Sequence, residues 1–376
     1  MREIEELRNE LDVIDKEIVA LYEKRMAVSG EVAEYKIANA KPVLDIEREN
    51  SKMAQVSGMA SSDFNRVGVE ELFQQLMSMS RKLQYRKLTE KGVLGNLPFI
   101  SLDQLQMDNI RVVYQGVEGA YSEKAVKTFF GKDINRFHVE TFRDAMNMIA
   151  DGAADYAVLP IENSSAGIVT QNYDMLMEFE NYIVAEQIVR IEHCLLGLPE
   201  AEMEDIDSVY SHVQGLMQCG SFLDKHRKMT SYQAKNTAMA AKGVKEAGDI
   251  HKAAIASEEA AELYGLKILA RDIADNKENY TRFIIVSNQR VFQKNANKIS
   301  ICFQLPHEKG SLYQLMSHFT YNGLNMTKIE SRPIPGRAWE YRFFVDFDGN
   351  LNDSAVKSAI RGIREEANGL RILGNY

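Results

Sequence analysis

The sequence predicts a multidomain protein with an all-α segment, then an α/β domain and finally a small α+β domain. Residues 2–88 contain no proline before Pro42, and their apolar side chains recur at helical spacing. From residue 110 onward, short β-type runs alternate with helical stretches, which favours an α/β fold with parallel strands. From residue 297 the predicted order of elements is βαββαβ, the pattern of a ferredoxin-like domain.

The composition excludes several classes of protein. The chain has 376 residues, enough for two or three domains, and a formal charge of −9, whereas nucleic-acid-binding proteins usually carry a basic surplus. It has no apolar run long enough for a transmembrane helix, and its acidic N-terminus lacks the features of a signal peptide. Its three cysteines, Cys194, Cys219 and Cys302, are far apart, and no CxxC or HExxH motif occurs. We therefore expect a cytoplasmic protein without disulfides, metal or cofactor, which binds neither nucleic acid nor membranes.

The N-terminal segment is predicted to form three helices. The first, about residues 3–37, would be about 50 Å long at 1.5 Å per residue. Its apolar stripe from Ile4 to Val32 cannot be buried within so small a segment, so we expect a homodimer or a higher homo-oligomer. Pro42 breaks the helix, and further helices follow at about 44–57 and 64–88.

The predicted domain boundaries follow these changes of pattern. Residues 1–90 form the helical domain, and residues 91–109, which have no clean period and hold glycine and proline, form a linker. The α/β domain covers residues 110–290. The C-terminal domain covers residues 297–376.

Polar side chains interrupt the apolar stripes of two helices. Arg25 and Lys36 extend the stripe of the first helix, and Ser80 and Gln84 extend that of the third. One interpretation is that long cationic side chains snorkel at a subunit contact and that the third helix frays. The other is an anionic ligand, because no acidic residue lies on the same stripe to neutralise Arg25 and Lys36.

The strings LRNELDVIDKEIVALYEKRMAVSGEVAEYK and KPVLDIERE resemble the all-helical class of chorismate mutase. The resemblance implies a dimer in which each active site is completed by the first-helix arginine of the other chain. It assigns substrate-binding roles to eight residues of this sequence: Arg8, Arg25, Lys36, Asp45, Arg48, Glu49, Ser80 and Gln84.

The reaction that this resemblance implies suits these residue types. Conversion of chorismate to prephenate is a unimolecular rearrangement, so the enzyme must hold a compact conformer and stabilise charge on the breaking ether oxygen. Arg25, with Arg8 of the partner subunit, would clamp two carboxylates, and Lys36 and Gln84 would donate to the ether oxygen. Because an amide donates at any pH, we expect mutase activity to be nearly flat across neutral pH.

Polar residues follow several strands of the α/β segment, in strings such as VYQGVEGAYSEKA and DYAVLPIENSSAG. Strand-end loops that start helices are where α/β folds bind anions. Each serine or asparagine taken alone is better explained as a helix cap. Four such clusters without a cofactor motif favour a small polar ligand.

The strings LPIENSSAG, EHCLLG and NYTRFIIV, in this order, resemble prephenate dehydratase. The resemblance implies two lobes of the periplasmic-binding-protein type, with conversion of prephenate to phenylpyruvate in the cleft between them. It gives Thr281 the role of assisting the leaving hydroxyl, by polarising and orienting it. The other implied substrate-binding residues are Asn163, Ser164, Ser211, Gln218, Arg282 and Phe283.

The strings GSLYQL, NGLNMT and ESRP resemble the amino-acid-binding ACT domain of the same enzymes. The resemblance implies feedback inhibition by L-phenylalanine, with chorismate and prephenate as substrates of a bifunctional enzyme. Two alternatives stay open, an arogenate-using dehydratase and a non-catalytic sensor of aromatic metabolites. The implied phenylalanine-binding residues are Gly310, Ser311, Leu312, Asn322, Leu324, Asn325, Glu330, Ser331 and Arg332.

Overall fold

The computed structural model of the protein describes residues 2–93 and 97–376. It divides into two compact units, Met1–Pro98 with Ala296–Ile372 and Phe99–Asn295 with Leu373–Tyr376. Residues 94–96 of the predicted linker lie outside the described residues. The division into three domains stays a prediction.

Three helices form the N-terminal part of the first unit, as the apolar spacing predicts. They begin at capping residues: the Asp45 side chain accepts a hydrogen bond from the Arg48 backbone N–H, and Ser62 caps the third helix in the same way. The helices are α1 (Ile4–Ala38), α2 (Ile46–Ser57) and α3 (Asp63–Glu90).

Helix α1 leaves its apolar stripe uncovered in the single chain. Its buried residues among those described are Ser29, Gly30 and Ala33, all in its C-terminal half. Leu21, in the middle of the stripe, is 67% exposed. A stripe of this length on a helix is the surface that a second helix covers in a coiled-coil-like pair.

The second unit alternates strands and helices. Its helices are α4 (Tyr121–Phe130), α5 (Phe142–Ala150), α6 (Thr170–Glu178), α7 (Val213–Gln218), α8 (Gly220–Lys225), α9 (Thr237–Ala247) and α10 (Glu258–Tyr264). Its strands are β1 (Ile100–Leu102), β2 (Arg111–Gln115), β3 (Asn135–Val139), β4 (Tyr156–Asn163), β5 (Gly167–Ile168), β6 (Tyr182–Arg190), β7 (Cys194–Gly197), β8 (Ser208–Ser211), β9 (Thr230–Gln233), β10 (Lys252–Ala256), β11 (Lys267–Ala270), β12 (Tyr280–Ser287) and β13 (Val291–Gln293).

These strands form two main sheets, which give the unit two lobes. One has the order β6-β12-β4-β2-β3, and the other has the order β11-β7-β10-β8-β9. The expectation of parallel strands is correct only in part, because β12 runs antiparallel to both β4 and β6, and β7 runs antiparallel to β10 and β11. The chain crosses to the second lobe after β6 and returns with β12, and a returning strand can enter the first sheet in the opposite direction.

One part of the predicted linker is ordered as a strand. Residues Ile100–Leu102 form β1 and pair in parallel with Val291–Gln293, which form β13. The linker prediction missed this strand because three residues are too few to show a period. The pairing places both ends of the second unit's chain side by side.

The C-terminal segment has the predicted element order. It consists of β14 (Lys298–Gln304), α11 (Ser311–Tyr321), β15 (Met326–Pro333), β16 (Tyr341–Asp348), α12 (Ser354–Glu366) and β17 (Asn368–Asn375). The strand order β15-β16-β14-β17 places the first strand in the interior of the sheet. Helix α12 also packs against α3, so the N-terminal helices and this segment form one compact unit.

Two structural features bear on the expectations from composition. In the part of the chain that the structure describes, Cys194, Cys219 and Cys302 are buried and have free thiols. Among the described helices, none combines the length and the apolar character needed to cross a membrane.

Candidate active sites

A cavity of about 390 Å³ lies among α1, α2 and α3; we call it the helical pocket. Five cationic and two anionic side chains line it, so its charge suits an anionic ligand. Its lining residues are Arg25, Val28, Ser29, Val32, Lys36, Val43, Asp45, Arg48, Glu49, Lys52, Met77, Ser80, Arg81 and Gln84.

Arg25 is held in the pocket by neutral groups. Its Nη1 donates to the Leu76 carbonyl at 2.8 Å and to Ser80 Oγ at 2.5 Å. Burial lowers its pKa, but an arginine stays charged in proteins. These contacts orient the guanidinium without neutralising it, which leaves its charge for a ligand.

Lys36 follows the same arrangement. Its Nζ donates to the Val43 carbonyl at 2.6 Å, and burial lowers its pKa while the charges of Asp45 and Glu49 oppose this shift. Within residues 2–93 and 97–376, neither Lys36 nor Arg25 forms an ion pair. The cations that interrupt the apolar stripe are therefore half-buried pocket walls, as the ligand interpretation requires.

On the opposite wall of the helical pocket, the carboxylate of Glu49 forms an ion pair with Arg81. Arg81 Nη1 donates to Glu49 Oε2 at 2.5 Å, and Arg81 Nε donates to Glu366 Oε1 at 2.8 Å. Gln84 is buried, and its Oε1 atom has no hydrogen-bond partner among the described residues. This unpaired oxygen is a hydrogen-bond acceptor, so a donor group of a ligand in the pocket could pair with it.

Seven of the eight predicted residues of this site line the helical pocket. The exception is Arg8, which is exposed near the N-terminus of α1 and pairs with Glu5 at 2.8 Å. It lies 17 residues before Arg25, about 25 Å along the helix. Arg8 therefore cannot reach the pocket of its own chain.

The second unit contains a cleft of about 610 Å³ between its two lobes; we call it the α/β cleft. Four of the predicted residues line it, namely Asn163, Gln218, Thr281 and Phe283. Asn163, Thr281 and Phe283 come from the ends of β4 and β12 in one lobe, and Gln218 comes from α7 in the other. Tyr121, His193, His212 and Lys235 also line it.

A hydrogen-bond network fixes the polarity of the Thr281 hydroxyl. The backbone N–H groups of Ser165 and Ala166 donate to Asn163 Oδ1 at 3.0 and 2.7 Å, so the other end of the amide is the donor. Asn163 Nδ2 then donates to Thr281 Oγ1 at 2.9 Å. Thr281 accepts this bond, so its own O–H remains available to donate into the cleft.

A second hydrogen-bond network positions the Gln218 side chain. His193 Nε2 lies 3.0 Å from Gln218 Oε1, and His193 Nδ1 lies 3.2 Å from the hydroxyl oxygen of Tyr121. Tyr121 donates in turn to the Glu192 carbonyl at 2.7 Å. Burial lowers the pKa of His193, so the ring is neutral at neutral pH and positions Gln218 without adding charge.

Three predicted residues do not line the α/β cleft. Ser164 accepts from the Tyr280 backbone N–H at 2.9 Å and donates to the Glu278 carbonyl, which fastens the loop after β4 to the start of β12. Ser211 is buried and donates to the Ile255 carbonyl at 2.7 Å. Both serines position the walls of the cleft.

Arg282 is the third residue that lies away from the cleft. Side chains alternate along a strand, so Arg282 faces away from the side on which Thr281 and Phe283 line the cleft. Its guanidinium lies 2.9 Å from Glu186 and 2.9 Å from the Tyr376 hydroxyl. The sequence placed it in the site because it stands between two cleft residues.

The nine residues predicted to bind phenylalanine fall into separate groups. Ser311 and Leu312 line a cavity of about 370 Å³ at the start of α11, and Gly310 precedes them with a φ of +77°. Asn322, Leu324 and Asn325 follow the other end of α11, about 16 Å away at 1.5 Å per residue. Glu330, Ser331 and Arg332 belong to β15.

Two regions of the chain, which contain the helical pocket and the α/β cleft, match known protein families. A family model described as chorismate mutase type II matches residues 7–85, and one described as prephenate dehydratase matches residues 112–291. A bifunctional chorismate mutase/prephenate dehydratase of Aquifex aeolicus is 32% identical over 378 residues, which cover 100% of this chain and 98% of that protein. The chain belongs to the family of bifunctional chorismate mutase/prephenate dehydratases.

Two further relatives have names that include prephenate dehydratase. A prephenate dehydratase from Arthrobacter aurescens, solved in complex with L-Phe, has 32% identity and a TM-score of 0.66 over 71% of this chain and 89% of that chain. An arogenate dehydratase/prephenate dehydratase of Arabidopsis thaliana is 35% identical over 82% of this chain and 80% of that protein. The chain is thus an enzyme of phenylalanine biosynthesis, with chorismate mutase and prephenate dehydratase domains.

The sequence reasoning missed three residues around the sites. The sequence interpretation gave His193 only a structural role and assigned none to Tyr121; His193 lies in the short connection between β6 and β7. Arg81 was not noticed at all. A signal existed, since the helical spacing Met77, Arg81, Tyr85 places a cation within a buried stripe.

The pKa shifts of two histidines in the dehydratase unit have opposite signs, which allows a direct test. Burial lowers the pKa of His193, so on acidification the unfolded state takes up this proton first and the folded state is destabilised below about pH 6.5. A hydrogen bond to the Asp205 carbonyl and nearby carboxylates raise the pKa of exposed His251, which stabilises the folded state on acidification. We expect His193→Gln to reduce the loss of stability between pH 7.5 and 5.5, and His251→Gln to increase it.

Urea unfolding midpoints of the wild type and both variants at the two pH values measure this difference. The two substitutions serve as controls for each other, because both replace a histidine of the same unit by an amide. The same direction of change in both variants would contradict the assignment.

Proposed function

We propose that the helical pocket rearranges chorismate to prephenate and that the α/β cleft converts prephenate to phenylpyruvate. The observation that carries this proposal is the pair of half-buried cations, Arg25 and Lys36, which have neutral partners only within the described chain. Chorismate is a dicarboxylate, so its negative charges can neutralise these two cations, whose hydrogen-bond partners are neutral groups. The reaction takes place in the cytoplasm.

In the mutase reaction the protein supplies positioning and charge. Arg25 binds one substrate carboxylate and is oriented by Ser80 and the Leu76 carbonyl. Lys36 and the side-chain N–H of Gln84 donate to the ether oxygen, where negative charge develops as its C–O bond breaks. Glu49 accepts a hydrogen bond from the substrate hydroxyl, while Arg48 supports the carboxylate end and Asp45 holds the loop.

In the dehydratase reaction the bond between the ring and the carboxylate breaks and carbon dioxide leaves. Its electron pair enters the ring, which becomes aromatic and expels hydroxide. Thr281 donates a hydrogen bond to the departing oxygen, which leaves as hydroxide and takes up a proton from solvent to become water. A threonine hydroxyl is a weak acid, so Thr281 polarises and orients the leaving group while Asn163 fixes its direction.

The remaining cleft residues bind and enclose the substrate. Gln218 reaches in from the second lobe and hydrogen-bonds the carboxylates, and Phe283 packs beside the ring. Ser164, Ser211 and Arg282 act indirectly, because each holds a strand or loop that carries a cleft residue.

The C-terminal segment binds L-phenylalanine as an ACT domain and inhibits the enzyme. Its βαββαβ order and the cavity at Ser311 and Leu312 support this role. The Arthrobacter relative was solved in complex with L-Phe. Ser311 and Leu312 line this cavity, whereas Asn322, Leu324 and Asn325 follow the other end of α11 and are not among its lining residues, which favours a site completed by a second subunit.

The chain acts as a homodimer or a higher homo-oligomer. The uncovered stripe of α1 and the distance of Arg8 from its own pocket support this assembly. Antiparallel pairing of two α1 helices would cover both stripes and bring Arg8 of the partner subunit to the helical pocket.

A second substrate for the dehydratase site is arogenate. The Arabidopsis relative, 35% identical, is named as an arogenate dehydratase/prephenate dehydratase. Turnover of the two substrates by the purified protein compares the two activities. A non-catalytic sensor is disfavoured, because such a protein has no need for the free Thr281 hydroxyl.

The two activities are expected to separate by mutation. Thr281→Ala removes the donor to the leaving group, so dehydratase kcat should fall by about 100-fold or more while mutase turnover is unchanged. Lys36→Met should abolish most mutase turnover and leave the turnover of added prephenate intact. Purified proteins are given chorismate or prephenate, with and without phenylalanine, while prephenate and phenylpyruvate are followed. Equal loss of both activities in either variant would refute the division of labour.

The pH dependence of the mutase tests the role of Gln84. We expect wild-type mutase kcat/KM to be nearly constant across neutral pH, because an amide donates regardless of pH. Gln84→Glu can donate only when its carboxyl is protonated, so its activity should fall as pH rises through the pKa of the new group. A flat profile for Gln84→Glu, at wild-type rate, would exclude Gln84 from the reaction.

Complementation tests the shared active site. Arg8→Ala and Arg25→Ala should each lose most mutase activity as pure proteins. In an equal mixture of co-refolded chains, half of the dimers are mixed and each holds one intact site, so about a quarter of the wild-type activity should return. No recovery in a mixture that forms mixed dimers would place Arg8 outside the site.

A further inference from the structure

Arg81 lies between two carboxylates that come from distant parts of the sequence. Its side chain is 7% exposed and contacts Glu49 on α2 at 2.5 Å and Glu366, the last residue of α12, at 2.8 Å. Both neighbours belong to the same compact unit as α3. One guanidinium thus connects the wall of the helical pocket with the C-terminal segment.

The charges of this arrangement are well defined. Burial tends to lower the pKa of Arg81, but the carboxylates of Glu366 and Glu49 outweigh it and raise that pKa. Burial tends to raise the pKa of Glu366, but its contacts with His318 and Arg81 outweigh it and lower that pKa. The cluster therefore holds one cation between two carboxylates, and His318 Nε2 lies 3.1 Å from the far oxygen of Glu366.

Arg81 restricts Glu49 in a way that suits substrate binding. It holds Oε2 and leaves Oε1 without a contact to Arg81. Without Arg81, the Glu49 carboxylate would be free to rotate toward the other cations of the pocket, Lys36, Arg48 and Lys52. Such an ion pair would occupy the oxygen that accepts from the substrate and would neutralise a cation that binds it.

We propose that Arg81 is a positioning residue of the mutase, which orients Glu49 and is itself oriented by Glu366 of the C-terminal segment. This inference rests on the proposed function, because it acts through the role of Glu49 in binding the substrate hydroxyl. Arg81 makes no contact with the reacting atoms. Its planar guanidinium spans the two carboxylates from Nη1 and Nε, which a lysine ammonium does not do.

Arg81 and its two carboxylate partners also border a second cavity. Glu49, Arg81 and Glu366 line a space of about 440 Å³ together with Pro306, Ser311 and Gln314 of the C-terminal segment. The Glu49–Arg81 pair thus lies in the wall between the helical pocket and this cavity. Mutase turnover therefore depends on the position of α12.

Glu366→Gln tests the proposal, since it removes the charge that orients Arg81 and touches no residue that binds substrate. We expect mutase kcat/KM to fall by about tenfold, which corresponds to about 1.4 kcal/mol, while turnover of added prephenate is unchanged. Glu90→Gln is the control. Its exposed carboxylate pairs with Arg86 Nε at 3.1 Å on the same helix as Arg81, so its mutase kcat/KM should change less than twofold.

A double-mutant cycle separates positioning from a general effect on the fold. In a Glu49→Gln background, Glu366→Gln should change mutase kcat/KM less than twofold, because the group that Arg81 orients has lost its charge. An equal loss in both backgrounds, or no loss in the wild-type background, overturns the proposal. Thermal unfolding of each variant records whether the fold is retained.

Two further variants cover the other outcomes. If Glu366→Gln does not fold, Arg81→Lys replaces it as the test. This variant keeps the charge but loses the two-sided geometry, so it should lower mutase kcat/KM to a similar degree. Full activity of Arg81→Lys overturns the proposal.

Glu49→Gln alone tests the proposed function. If it keeps wild-type mutase activity, the role of Glu49 fails and the inference fails with it, whereas an impaired Glu49→Gln with a fully active Glu366→Gln overturns the inference alone.

Discussion

The helical pocket depends on two cations that are hydrogen-bonded but not neutralised. A buried ion without compensation costs several kcal/mol, whereas hydrogen bonds to charged groups each return about 1.5–3 kcal/mol. The carbonyls of Leu76 and Val43 and the Ser80 hydroxyl supply such bonds to Arg25 and Lys36. A carboxylate in the same place would stabilise these cations further, but it would also compete with a dianionic substrate for the same charges.

The dehydratase cleft uses neutral groups for a comparable purpose. Two backbone N–H groups fix the Asn163 amide, and the amide donates to Thr281, so the direction of the threonine proton is set before the substrate arrives. Gln218 is held by a neutral His193 in the same way. The Thr281 hydroxyl is therefore oriented by neutral groups, whereas the cations of the helical pocket are oriented by carbonyl and hydroxyl oxygens.

The sequence predicted the helices well and the sheets less well. Apolar spacing and caps are local, so the three N-terminal helices and the βαββαβ order were readable within a few residues. The antiparallel direction of β12 is decided by where the chain returns between the lobes, which no local pattern encodes. The three-residue strand β1 has no period at all.

The site residues show the same difference between features that are local in the sequence and features that only the folded chain creates. A resemblance over continuous strings located seven residues that line the helical pocket and four that line the α/β cleft. It also drew in Arg282 and Ser211, which are adjacent in sequence to the cleft but point elsewhere. It could not find Glu366, which is more than 300 residues from Glu49, since their connection through Arg81 exists only in the folded chain.

The packing of α3 explains why the first unit joins the two ends of the sequence. One face of α3 carries Ser80 and Gln84 toward α1, and the other carries Tyr85 and Lys82 to the C-terminal segment, where they bond Glu365 and Ser317. Since α1 leaves its own stripe uncovered, the three helices alone would bury little. The C-terminal segment therefore supports α3, and with it the wall of the helical pocket that Ser80 and Gln84 line.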